Sequence, residues 1–149
     1  MQPTKEVNEP WVWCKPKKQV VKNPSKVGKW MIFVDLDKLD DVWGIVKENT
    51  EKGNLGILSK CATNAPTPTK FNKKVICVYT YDYDDLQDVA IIGYRLFNLI
   101  GDLTNLINYK TDEATYNNDK SSKYTIYKNF VDSLSEKDFV DNFSKRYGV

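Results

Sequence analysis

Histidine is absent from the 149 residues. Its absence removes the side chain most used for acid–base work near neutral pH and for binding transition metals. A Ser-His-Asp triad, a Cys-His dyad, a two-histidine phosphoesterase and a HExxH metalloprotease are all excluded. Any chemistry here would have to run on Lys, Tyr, Asp or Glu. Cysteine is scarce as well: Cys14, Cys61 and Cys77 are odd in number and show no CxxC spacing. They suggest neither a disulfide framework nor a zinc knuckle, and no metal or other cofactor is expected. Long apolar runs are missing too. None approaches the roughly 20 residues that cross a bilayer, and the opening MQPTKEVNEP has no apolar core of a signal peptide. The expectation is a soluble cytoplasmic protein with no membrane partner.

What remains is the composition of a core-forming chain, with 41% apolar and 13% aromatic residues and only 7 Gly and 6 Pro. The length suits one domain over residues 1–149, with residues 1–10 flexible. The net charge of +2 is unevenly spread. Residues 1–34 carry seven lysines against two acids, and residues 35–58 three lysines against six acids. Residues 59–74 hold four lysines and no acid, whereas residues 81–102 set one arginine against five acids. The acidic blocks coincide with helix patterns and the basic ones with loops and strand ends, so folding can sort the signs onto different faces.

Trp11-Val12-Trp13-Cys14 reads as a short strand, followed by a lysine-rich loop with Pro16 and Pro24. Residues 29–34 are a strong strand run. Leu39, Val42, Trp43 and Val46 then follow the i, i+3, i+4, i+7 spacing of a helix, which Asp35 or Asp37 can cap and Gly53 can end. Residues 55–62 and 75–81 read as adjacent antiparallel strands around a polar loop with Pro66 and Pro68. An Asp-rich cap opens a second helix over residues 86–100, with Gly101 just beyond it. Residues 106–110 and 124–128 are further strands, joined by a polar segment read as a mobile loop. Ser135 with Asp138 starts a C-terminal helix that buries Phe139, Val140 and Phe143. Strand pairs interrupted by helices favour an α+β fold: a curved antiparallel β-sheet, helices packed on one face and the other face free for a ligand.

Four segments resemble the core of a known family: Gly28-Lys29-Trp30-Met31-Ile32, Leu39-Asp40-Asp41-Val42-Trp43, Leu55-Gly56-Ile57-Leu58-Ser59-Lys60 and Lys74-Val75-Ile76-Cys77-Val78-Tyr79-Thr80. With Tyr109-Lys110-Thr111-Asp112 they resemble the DUF1917 family, also called UPF0696 or the basophilic-leukaemia-expressed-protein family. More distantly, the pattern is similar to the mRNA cap-binding translation initiation factor 4E, whose fold the family is thought to share. The resemblance implies phosphate contacts from Lys60, from Lys73 or Lys74, and from Lys120 and Lys123 in a late loop. It also implies two tryptophans sandwiching a methylated base. Here the chain departs from the pattern, since no tryptophan precedes the K-x-I strand and no Trp-Glu pair exists. Trp11, Trp13, Tyr79 and Tyr81 are the candidates for a stacking face, while Trp30 and Trp43 are assigned to the core.

The leading expectation is therefore a non-enzymatic module that binds RNA ends, nucleotides or another phosphorylated ligand through lysines and aromatics. Two alternatives stay open. One is a protein-interaction module. The other is a phosphothreonine-lyase-like enzyme with a lysine base, although the bacterial lyases of that chemistry use a histidine that this chain lacks.

Overall fold

The computed structural model describes residues 2–18, 24–67, 73–101, 103 and 106–148; Lys22 and Pro68 lie outside them. In chain order the elements are β1 (Trp11–Cys14), β2 (Gly28–Asp35), α1 (Leu36–Glu51), β3 (Leu58–Ala62), β4 (Lys73–Thr80), α2 (Leu86–Ile100), β5 (Leu106–Thr111), α3 (Asp112–Tyr116), β6 (Tyr124–Tyr127), α4 (Lys128–Val131) and α5 (Glu136–Tyr147). The strands form one open six-stranded sheet in the order β1-β3-β4-β2-β5-β6. Every named pairing is antiparallel.

Side chains alternate across a strand, so the register sorts the sheet into two faces. One face carries Trp30, Ile32, Val34, Ile76, Val78, Cys61 and Ile107, all buried beneath the helices. Leu39, Val42, Trp43 and Val46 of α1 join that core, as do Val89, Leu96 and Phe97 of α2 and Phe139 and Phe143 of α5. Trp30 marks where α2 sits: its Nε1 donates to the Val89 carbonyl at 2.9 Å. Thr50 near the end of α1 is joined to Ser59 of β3 by a 2.8 Å hydroxyl hydrogen bond on the same side. Both long helices thus cover one face, as expected for an α+β sandwich.

The caps explain where these helices stop and start. Gly53, at φ +82°, supplies the left-handed residue just past α1. Asp85 accepts from the Asp88 amide to open α2, and Ser135 accepts from the Asp138 amide to open α5.

Beyond strand ends shifted by one or two residues and the short α4, three features differ from the sequence reading. The third strand begins at Leu58, not at residue 55, because a β-carbon on Gly56 would lie 1.7 Å from the Tyr79 carbonyl oxygen. The chain passes over β4 there and re-enters the ladder only after the Ile57 amide has bonded that same oxygen at 2.9 Å. The segment read as a mobile loop contains α3, capped by the Thr111 hydroxyl, which accepts from the Ala114 amide. Residues 2–10 carry contacts of their own. Thr4 donates through its amide and hydroxyl to the two Asp40 oxygens at 3.1 and 2.6 Å, and the Asn64 amide reaches the Pro3 and Glu6 carbonyls.

Candidate ligand-binding face

The second face of the sheet is left open by the long helices, and the short α3 lies over it at Lys29, so that Lys29, Cys77 and Tyr79 are buried while Trp13 is exposed. Its residues follow from the register. Trp13 stands opposite Lys60 and Lys60 opposite Cys77, while Leu58, Tyr79, Lys29 and Lys110 form the next cross-strand row. Trp11 and Trp13 are two residues apart on β1 and so share this face, about 6.6 Å apart along the strand. Direct cross-strand neighbours that exchange no hydrogen bonds approach to about 4.5 Å between α-carbons. The Lys60 stem is thereby carried up against both indoles.

Lys60 is the centre of this arrangement. Its Nζ lies 3.8 Å from the Trp11 ring centroid, 5.2 Å from that of Trp13 and 5.8 Å from that of Tyr79. Among the described residues no carboxylate forms an ion pair with it. Burial, and after it the neighbouring Lys29 charge, lower the Lys60 pKa below the ordinary lysine value, against the opposing pull of Cys77 and Asp112. An ammonium held by ring faces alone keeps its full charge available to an anion, while the rings hold its position. Trp13 remains 52% exposed, so the outer indole is open to solvent.

Lys29 is the second cation and was missed in the sequence. Only 7% exposed, it donates to Asp112 at 3.3 Å and to the Thr115 hydroxyl at 3.1 Å, and its Nζ lies 5.6 Å from the Tyr79 centroid. Lys110 stands directly across from it on β5. Like charges placed opposite each other destabilise a sheet, and here the row is answered by Asp112 alone among the named ion pairs. Cys77, between Lys60 and Met31 in register, is buried; burial raises its thiol pKa to about 11 despite both lysines, so it is a poor nucleophile at neutral pH. Burial also pushes the Tyr79 phenol up.

The remaining sequence candidates lie elsewhere. Lys73 is on the same face but four residues along β4 from Cys77, roughly 13 Å away, and pairs with Asp35 at 3.8 Å. Lys74 alternates to the helix side of β4. Lys123, separated from Lys60 by four strand spacings or roughly 19 Å, stacks over Tyr83 at 5.0 Å and Tyr124 at 5.7 Å. It lines a separate shallow cleft with Thr111, Glu113, Asp119 and Ser121. Lys120 is exposed in the turn beside that cleft. The Tyr81 hydroxyl donates to Asp85 at the start of α2, and this bond holds its pKa up at about 12. The structure therefore gathers Lys60, Trp11, Trp13 and Tyr79, adds Lys29, sets Lys110 beyond Lys29 at three strand spacings or about 14 Å from Lys60, and leaves the other five candidates apart.

Residues 18–118 match the family model described as Basophilic leukemia-expressed protein Bles03. The chain belongs to that family. The matched span holds β2 to β5 and so includes Lys29, Lys60, Tyr79 and Lys110, but it leaves out β1 with Trp11 and Trp13. No curated protein matches the sequence. Among solved structures, the fold is similar to a schistosome eIF4E complexed with m7GpppA and 4E-BP, at a TM-score of 0.55 and 13% identity over 67% of this chain and 58% of that one. It is also similar to C. elegans eIF4E-3 in complex with the 4E-binding protein Mextli and a cap analogue, at a TM-score of 0.52 and 15% identity over 67% of this chain and 57% of that one. The Bles03-family chain thus spans somewhat more than half the length of these neighbours and shares their fold. Among the described residues no helix is long and apolar enough to cross a membrane, and no cluster of His, Cys, Asp or Glu could hold a metal ion.

Proposed function

We propose that this Bles03-family protein is a binding module whose open sheet face takes a phosphorylated ligand, an RNA end or a nucleotide, without chemistry of its own. The observation that carries the reading is Lys60, seated 3.8 Å from the Trp11 ring with no carboxylate partner among the described residues. A phosphate would be met by Lys60, with Lys29 and Lys110 along the neighbouring strands as further point charges. A base would lie against the exposed Trp13 ring, a contact worth roughly 1 to 3 kcal/mol. The eIF4E neighbours support the reading, since two of them were solved with m7GpppA or a cap analogue. The buried, un-ionised Cys77 and the missing histidine argue against a nucleophilic or acid–base role for the site.

Tryptophan fluorescence tests this directly, because Trp30 and Trp43 are buried in the core and only Trp11 and Trp13 face the site. Titration with a nucleoside triphosphate and with a methylated cap dinucleotide is expected to quench emission, and Trp13→Ala to remove most of the change. Absence of quenching by either ligand at low salt, with no nucleotide retained in native mass spectrometry, would defeat the proposal.

A further inference from the structure

The sheet is open, so it has two outer strands, and the two are treated differently. On β6 the edge is closed from within. The Tyr147 hydroxyl accepts from the Thr125 amide at 3.2 Å and donates to the Thr125 carbonyl, so the backbone groups at the middle of that edge are already used. On β1 they are not. The Thr63 amide bonds the Pro10 carbonyl, which makes Pro10, Val12 and Cys14 the residues whose backbone groups face β3. By the alternation of an antiparallel ladder, the N–H and C=O groups of Trp11 and Trp13 point outward. β1 is an outer strand whose named pairing is with β3, and among the described residues no further bond to these four groups is found.

Proteins commonly blunt such an edge with proline. Pro10 and Pro16 flank β1, but both fall in the inward-facing register, so neither interrupts the outer row of donors. Outward pairing is restricted to outward residues. Of the two-fold antiparallel registers that match outward residues with outward residues, the one centred on Val12, with Trp11 of one chain against Trp13 of the other, pairs the backbone groups of both tryptophans in each chain. That register places Glu9 opposite Lys15. Both side chains are exposed, and neither has an ion-pair partner among the described residues. The edge is thus self-complementary in charge as well as in hydrogen bonding, and pairing would cover the 52% exposed Trp13.

We propose that a second copy of this chain pairs along β1, Trp11 against Trp13, joining two six-stranded sheets into one. The symmetric contact makes four backbone hydrogen bonds and two Glu9–Lys15 ion pairs, one at each end. An extended segment of a different protein would use the same donors but would not be sensitive to the Glu9–Lys15 pairing of one chain with its twin.

Sedimentation of the 149-residue chain from 10 μM to 1 mM tests this with three exposed-site variants. The wild type is expected to show a concentration-dependent dimer. Glu9→Lys and Lys15→Glu are each expected to weaken it at least tenfold, while an equimolar mixture of the two single variants dimerises again. The double variant, carrying both swaps, is expected to recover self-association. A wild type that stays monomeric to 1 mM overturns the proposal, as does a dimer insensitive to both swaps. Circular dichroism of each variant confirms that the fold is intact. Because pairing covers Trp13, sedimentation is run without nucleotide and quenching is read on protein dilute enough to be monomeric, so failure of either reading is told apart from failure of the other.

Discussion

Trp30 and Gly93 meet across the interface between sheet and helix: a β-carbon on Gly93 would lie 2.6 Å from Trp30 Cζ2. The glycine is what lets α2 descend until the Trp30 indole reaches the Val89 carbonyl. An alanine would gain about 1 kcal/mol of helix propensity but would force helix and indole apart in a filled core. Gly93→Ala is expected to be net destabilising by about 1 to 3 kcal/mol, measured by urea unfolding. A more stable variant would show that the contact relaxes freely.

Lys29 and Asp112 form an unequal pair, the side chains being 9% and 49% exposed. Removing the buried charge and removing its exposed partner should therefore differ. Asp112→Ala leaves a buried ammonium with the Thr115 hydroxyl and the Tyr79 ring face and is expected to cost about 1 to 3 kcal/mol after allowing for solvent access to the pair. Lys29→Met leaves a carboxylate that water can reach and is expected to cost under about 1 kcal/mol. Equal costs in chemical denaturation would contradict the assignment.

Asp88 has one carboxyl oxygen buried without a hydrogen bond. Burial first, and the Asp85 charge second, raise its pKa from 3.8 to about 6. The folded chain then holds this proton more tightly than the unfolded one. The resulting stabilisation is complete below pH 3.8 and is lost as pH rises through about 6. Asp88→Asn removes the ionisation, so the variant should match the wild type near pH 4 and exceed it by about 1 kcal/mol at pH 7, partial exposure reducing the full effect. A difference that does not change with pH would contradict the assignment.

Tyr147 closes the β6 edge through one hydroxyl shared between the Thr125 amide and carbonyl. Tyr147→Phe is expected to cost about 1 kcal/mol and to speed hydrogen exchange at the Thr125 amide several-fold. Exchange unchanged at Thr125 would mean that the hydroxyl does not protect this edge.

Much of this fold is legible in the sequence. The apolar run around Trp30 and the stripe of Leu39, Val42, Trp43 and Val46 have only one sensible burial, and each matches a segment of the family resemblance. Local chemistry also marks α3 within the segment read as a loop: Thr111 followed by Asp112 and Glu113 is an N-cap with acids in the first turn. The candidate site was less legible. Lys60 stood out because it opens a basic block, but Lys29 lies inside an apolar strand run and looked like its boundary. What makes Lys29 notable is its register against Lys110 and Tyr79, and register is set by strand order, which composition does not encode. The same limit explains why five candidates chosen for being basic or aromatic fall at other places on the molecule.

Phosphate binding by the open face through Lys60 is measured most directly by salt-dependent titration of labelled single-stranded RNA, with and without a 5′ cap. With Lys60, Lys29 and Lys110 as the contacts, log affinity should fall with log salt at a slope of roughly −2, or about −0.7 per lysine. Lys60→Ala should bring the slope to roughly −1.4, and Trp13→Ala should weaken binding without changing the slope. No binding at low salt, or a slope and affinity untouched by Lys60→Ala, would contradict phosphate binding through Lys60.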